Sequence, residues 1–161
     1  MSAELEFDDD LELSPEGQFL LAVGEAIQGL QIEPLETLKA AKVMMDFRDT
    51  AKPAINVSPL PERLLSDGAM GEFACQFQVG VMLSTKNGDS NTVNLGWHLK
   101  TRGEIVRRFA GHEGNTTELS RGGYCFHLGV QPGIRFDPNV FMHGVDAGFL
   151  IITGELYDRA G

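Results

Sequence analysis

Residues 72–84 carry the most regular pattern in the chain. Phe73, Cys75, Phe77, Val79, Val81 and Leu83 alternate strictly with Glu72, Ala74, Gln76, Gln78, Gly80, Met82 and Ser84. A period of two over this length predicts a long strand with one buried face and excludes a helix. Asn87-Gly88-Asp89-Ser90 then forms a turn cluster. Beyond it the period changes to that of a helix over residues 91–109. Leu95, Leu99, Arg102, Val106 and Phe109 are expected on the inner face with Ile105 beside them, and Lys100, Glu104, Arg107 and Arg108 mostly outside.

Upstream, Ser14-Pro15-Glu16-Gly17 reads as a helix start, with Ser14 as N-cap and Pro15 at the first helical position. Phe19, Leu20, Val23, Ile27 and Leu30 give the following helix an apolar stripe, and Gly29 with Pro34 ends it. Residues 35–49 predict a short turn and then a strand, in which Val43, Met45 and Phe47 alternate with polar neighbours. Residues 54–58, bracketed by Pro53, Pro59 and Pro61, predict a short strand at an edge or a strand end. Residues 62–71 read as a loop turning at Asp67-Gly68. The three strands up to residue 84 suggest an antiparallel meander.

Residues 111–123, with four glycines, predict a mobile surface loop. Tyr124, Phe126, Leu128 and Val130 then alternate up to a break at Gln131-Pro132-Gly133. A final run over residues 145–156 is apolar on both faces through Phe149, Leu150, Ile151 and Ile152, as in a central strand. The expected order is helix, three strands, helix, two strands. This is an α+β fold with a mainly antiparallel or mixed sheet flanked by two helices, in a single domain over residues 14–161.

Residues 1–13 stand apart as an acidic arm. Glu4, Glu6, Asp8, Asp9, Asp10 and Glu12 leave too little apolar area for the arm to order itself. It reads either as a solvated tail or as an arm that orders on a neighbouring subunit. Leu5, Phe7, Leu11 and Leu13 alternate with the acids and suit a strand added to an exposed edge.

Charge and composition narrow the classes. Thirteen Lys and Arg against 23 Asp and Glu give a net charge of -10, so sequence-independent phosphate binding over the whole surface is not expected. Such a surface repels a polyanion, which suits a channel through which one slides. Nineteen glycines and seven prolines fit a turn-rich sheet protein. An acidic N-terminus and the lack of an apolar run near the roughly 20 residues of a spanning helix predict no membrane segment, and folding in the cytoplasm. Cys75 and Cys125 are expected to pack as small apolar residues.

No familiar catalytic motif is present. His98, His112, His127 and His143 have no metal-motif spacing, and His127 is expected on the polar side of its strand. Ser66, Ser84, Ser90 and Ser120 lack a nucleophile elbow, and the glycines match no phosphate-binding fingerprint. Lys100, Arg102, Arg107 and Arg108 form the densest basic group, either a solvated face or one that meets acids of a neighbouring chain. Trp97 is either core or an interface anchor.

Several segments in order carry a resemblance. These are Leu35-Glu36-Thr37-Leu38-Lys39, Ile55-Asn56-Val57-Ser58-Pro59 followed by Arg63, and Phe77-Gln78-Val79-Gly80-Val81. Ile105-Val106-Arg107-Arg108-Phe109, Gly129-Val130-Gln131-Pro132 with Asp137-Pro138, and Leu156-Tyr157-Asp158-Arg159-Ala160 complete the set. In this arrangement the chain from Ser14 to Gly161 resembles the small neck and tail-terminator proteins of tailed bacteriophages; the acidic arm and the glycine-rich loop depart from it. The resemblance implies an α/β subunit in a ring, commonly a hexamer. Such a ring caps the tail tube protein, stops its polymerisation and offers a docking face to the head-tail connector protein, with DNA passing through the lumen unbound. It also implies a place in the neck or tail of the virion after assembly in the host cytoplasm, with no cofactor and no catalysis. Asp8, Asp9, Asp10, Gln76, Gln78, Trp97, Lys100, Arg107 and Arg108 are the candidate contact residues. Another neck component, such as a head-completion or connector protein, is the near alternative. A small metal-dependent or ligand-binding β-rich enzyme is the distant one.

Overall fold

The computed structural model describes residues 3–41, 53–66, 72–86, 91–110, 117–132 and 145–159. Their strands are β1 (Leu5–Glu6), β2 (Thr37–Ala40), β3 (Ala54–Ser66), β4 (Glu72–Lys86), β5 (Thr117–Arg121), β6 (Tyr124–Pro132) and β7 (Val145–Arg159). The helices are α1 (Pro15–Gly29) and α2 (Asn91–Phe109), with a 3-10 helix at Asp9–Leu13. One mixed sheet runs in the order β1-β2-β3-β4-β7-β6-β5 and curls into a half-barrel. β1, β2 and β3 are parallel, and every other pairing is antiparallel. The α+β class expected from the pattern is the class observed.

β4 is the spine. It pairs along its whole length with β7, from Glu72 opposite Arg159 to Lys86 opposite Val145, and with β3 on its other side. Phe77, Val79, Val81 and Leu83 are buried as the alternation requires. Register carries that face across the sheet to Ile55 and Val57 of β3, Leu150 and Ile152 of β7, and Phe126 and Leu128 of β6. All of these belong to one core with Phe19, Leu20, Val23 and Ile27 of α1 and Trp97, Ile105 and Phe109 of α2. Both helices therefore cover the same face of the sheet. β7 is central, as its double-sided apolar run suggests, but Phe149 and Ile151 on its second face are only half-buried.

Ser14 caps α1 as expected, its side chain accepting from the Gly17 N–H at 3.1 Å. Other local expectations fail for identifiable reasons. The turn foreseen over residues 35–41 is β2, which pairs parallel with β3, so the first pairs of the sheet are not a meander. A parallel partner distant in sequence leaves no local signal. The strand expected around Val43, Met45 and Phe47 lies outside the described residues.

β3 is far longer than residues 54–58 and runs through both prolines to Ser66, so residues 62–66 are strand rather than loop. Past Val57 it has no register partner in β2, and Pro61 lies within the register shift between Leu60 and Arg63, so few ladder bonds are asked of either proline. The glycine-rich loop contains β5. Gly122 and Gly123, at φ +57° and +94°, form a two-residue hairpin between β5 and β6, a conformation that glycine adopts without strain.

The acidic arm also orders within its own chain. Leu5 and Glu6 pair with Leu38 and Lys39, adding a strand to the chain's own sheet edge, and Leu5 and Leu11 pack against the core. Asp8 caps the 3-10 helix by accepting from the Asp10 N–H at 3.0 Å. Arg121, on the β5 hairpin, holds Glu12 at 2.7 Å and Glu25 of α1 at 3.0 Å. Two partly buried leucines and these two ion pairs supply the anchoring that the arm's composition conceals.

Candidate assembly surfaces

α2 sits rotated by roughly a quarter turn from its expected orientation. Trp97, His98, Thr101, Ile105 and Phe109 are buried, whereas Leu95 and Leu99 are 42% and 44% exposed. Trp97 decides this: its indole N–H donates to the Pro34 carbonyl at 2.8 Å, and with Ile105 and Phe109 it places three large side chains in the core. Trp97 is therefore a core residue and not an exposed anchor. Arg102, expected inside, is half-buried and donates to the Phe149 carbonyl of β7 at 2.8 Å.

The outer strip of α2 then combines exposed Leu95, Gly96, Leu99, Lys100 and Arg107 with half-buried Gly103. A Cβ at either glycine would meet nothing within 4 Å, so the backbone is open to close approach there. Arg108 lies at the margin of this strip, half-buried, with its guanidinium carbon 5.6 Å from the Phe109 ring centroid.

Asp8, Asp9 and Asp10 are exposed on the arm, between Phe7 at 37% and Leu13 at 81% exposure. Among the described residues, the four exposed large apolar side chains are thus two on the acidic arm and two on the basic helix.

Gln76 and Gln78 are half-buried on the sheet face away from both helices. Gln78 is opposite Thr153, and Gln76 is opposite Glu155, which is in turn opposite His127 of β6 and then Glu118 of β5. His127 is exposed as expected, with Nδ1 3.6 Å from Glu118. Cys125 shares the phase of His127 and is exposed instead of packed; its thiol lies 3.7 Å from Glu118 Oε2. Toward the other end of this face Ser58, Met82, Ser84 and Ala147 are buried, so the face is covered at one end and half-buried to exposed at the other. The side chain of Cys75 and both His112 and His143 lie outside the described residues.

His98 is buried against β4, with Nε2 2.9 Å from Thr85 Oγ1, and its ring meets Trp97 edge-on. Burial holds its pKa below the ordinary histidine value, with the Asp146 charge pulling the other way. Among the described residues no group of three or more His, Cys, Asp or Glu could hold a metal ion, and no helix is long and apolar enough to cross a membrane. The chain matches no protein-family model and no curated protein at a significant level of similarity.

Proposed function

We propose that this chain is a structural virion protein of a tailed phage, a tail terminator whose ring caps the tail tube and joins it to the head connector. The observation that carries this reading is the one-sided sheet. Both helices lie on one face, and the other, covered at its Met82 end, leaves Gln76, Gln78, Phe149, Ile151 and Thr153 half-buried, a surface that neighbours in a ring can cover further. A net charge of -10 suits a lumen that passes DNA without trapping it.

The reading assigns the chain no cofactor and no catalytic residue. Its partners are copies of itself, the tail tube protein on one side and the connector on the other. Native mass measurement together with electron microscopy of purified protein added to growing tail tubes tests it. A closed ring that arrests tube growth is the expected result. Tubes that elongate unchecked and bind no protein at their ends overturn it. Binding only to the portal side moves the chain to another station in the neck.

A further inference from the structure

We propose that the exposed strip of α2 receives the acidic arm of a second copy of this chain. Leu95, Leu99, Lys100 and Arg107 form the receiving surface, and Phe7, Asp8, Asp9, Asp10 and Leu13 the inserted one. This deepens the ring reading above by naming the contact that joins subunits.

Three observations point to this occupant. First, the exposed large apolar side chains of the described residues fall in two pairs, Phe7 with Leu13 and Leu95 with Leu99. Second, the pairs are set in opposite charge. The arm carries Asp8, Asp9 and Asp10, the strip carries Lys100 and Arg107, and none of these five is in an ion pair among the described residues. Apolar contact ringed by complementary charge is the arrangement of a specific interface. Third, exposed Gly96 and half-buried Gly103 stand along the strip, where each weakens the helix relative to alanine. Among the described residues no atom lies within 4 Å of a Cβ built at either glycine, so their lack of a side chain serves no packing there. It does allow another backbone to approach.

The arm need not leave its own subunit to make this contact. Leu5 and Leu11 face its own core, and Glu12 is held by Arg121, while Phe7, Leu13 and the three aspartates remain on the outside. Because arm and strip are different surfaces, the contact repeats head-to-tail wherever each added copy offers a fresh arm and a fresh strip, whereas a reciprocal exchange between two copies stops at a dimer. Such contacts close into a ring when the rotation between copies permits it.

Charge reversal tests the proposal in a way that separates it from misfolding. Variant one carries Lys100→Glu and Arg107→Glu; variant two carries Asp9→Lys and Asp10→Lys. Sedimentation velocity at low salt is expected to show self-association of the unaltered protein, weakened about tenfold or more in either variant alone. An equimolar mixture should regain assembly, since the acidic arm of variant one fits the basic strip of variant two and the lysine arm of variant two fits the acidic strip of variant one. Gly103→Gln should leave the thermal midpoint unchanged or raised while reducing assembly. An unaltered protein that stays monomeric, variants that assemble normally, or a mixture that stays dissociated each overturns the proposal. Tube capping is scored separately: an oligomer built on this contact that ignores tail tubes overturns the phage reading and leaves the contact standing.

Discussion

The ring of Phe19 in α1 lies over Gly154 in β7 so closely that a Cβ on Gly154 would stand 2.5 to 2.9 Å from three of its carbons. Phe19 is also 5.1 Å from Phe126 and 6.3 Å from Phe77, centroid to centroid, and fully buried. The ring has no free direction in which to retreat. Gly154→Ala is expected to destabilise the protein by about 1–3 kcal/mol through overpacking. Urea denaturation measures this, and an unchanged midpoint would show that the aromatic cluster yields.

Ser14 supplies the side-chain acceptor for the first turn of α1. Ser14→Ala should cost about 1 kcal/mol, and Ser14→Asp should restore most of it, because a carboxylate oxygen takes the same N–H and favours the helix N-terminus. The pair of denaturation curves distinguishes a cap from a general surface effect.

Arg121 ties the arm to the body through Glu12 and Glu25, although both carboxylates are about half exposed. Arg121→Ala should therefore cost no more than about 1 kcal/mol globally. Its larger effect should be local: hydrogen exchange in residues 9–13 should speed up while that of β4 is unchanged. Equal protection in both forms would mean that Leu5 and Leu11 hold the arm without the arginine.

His98 makes stability depend on pH. Its folded pKa is lowered from the ordinary value of 6.5, so below that value the unfolded chain binds a proton more readily than the folded one. The contribution of neutral His98 is complete above about pH 6.5 and is lost as the pH falls toward the lowered folded pKa. Unfolding midpoints between pH 7.5 and pH 5 should fall more steeply in the unaltered protein than in His98→Gln. Parallel slopes would assign the acid sensitivity to other groups.

Gln78 tests the open sheet face independently of the arm. Its side chain is half-buried opposite Thr153, and a lysine stem can lie along such a surface with its ammonium in water. Gln78→Lys should keep the monomer's stability within about 0.5 kcal/mol and impair ring assembly or DNA passage. If rings form and pack DNA normally, that face is ordinary solvent-exposed surface.

The long strand β4 and the start of α1 were legible because each has a local signal, strict alternation in one and Ser14-Pro15 in the other. β2 and the parallel β1 were not, since Leu38 and Leu5 are paired by contacts far apart in sequence. Gly122-Gly123 did carry a hairpin signal, hidden by reading four glycines together as one loop. The same limit shaped the candidate surfaces. The opposite charges of the arm and α2 are visible in the sequence, but the exposure of Leu95 and Leu99 is not. It depends on Trp97 reaching the Pro34 carbonyl, a partner outside the helix that sets which side faces in.

The sheet order places β7 between β4 and β6, so the two halves of the sheet are joined through the strand that emerges from the ribosome after both. Until β7 is available, β4 and β6 each present an unpaired edge, and the core around Phe19 lacks Leu150, Ile152 and the gap at Gly154. Nascent chains ending before residue 145 would be expected to remain protease-sensitive and prone to pair with one another, and folding should become cooperative only once β7 has cleared the exit tunnel.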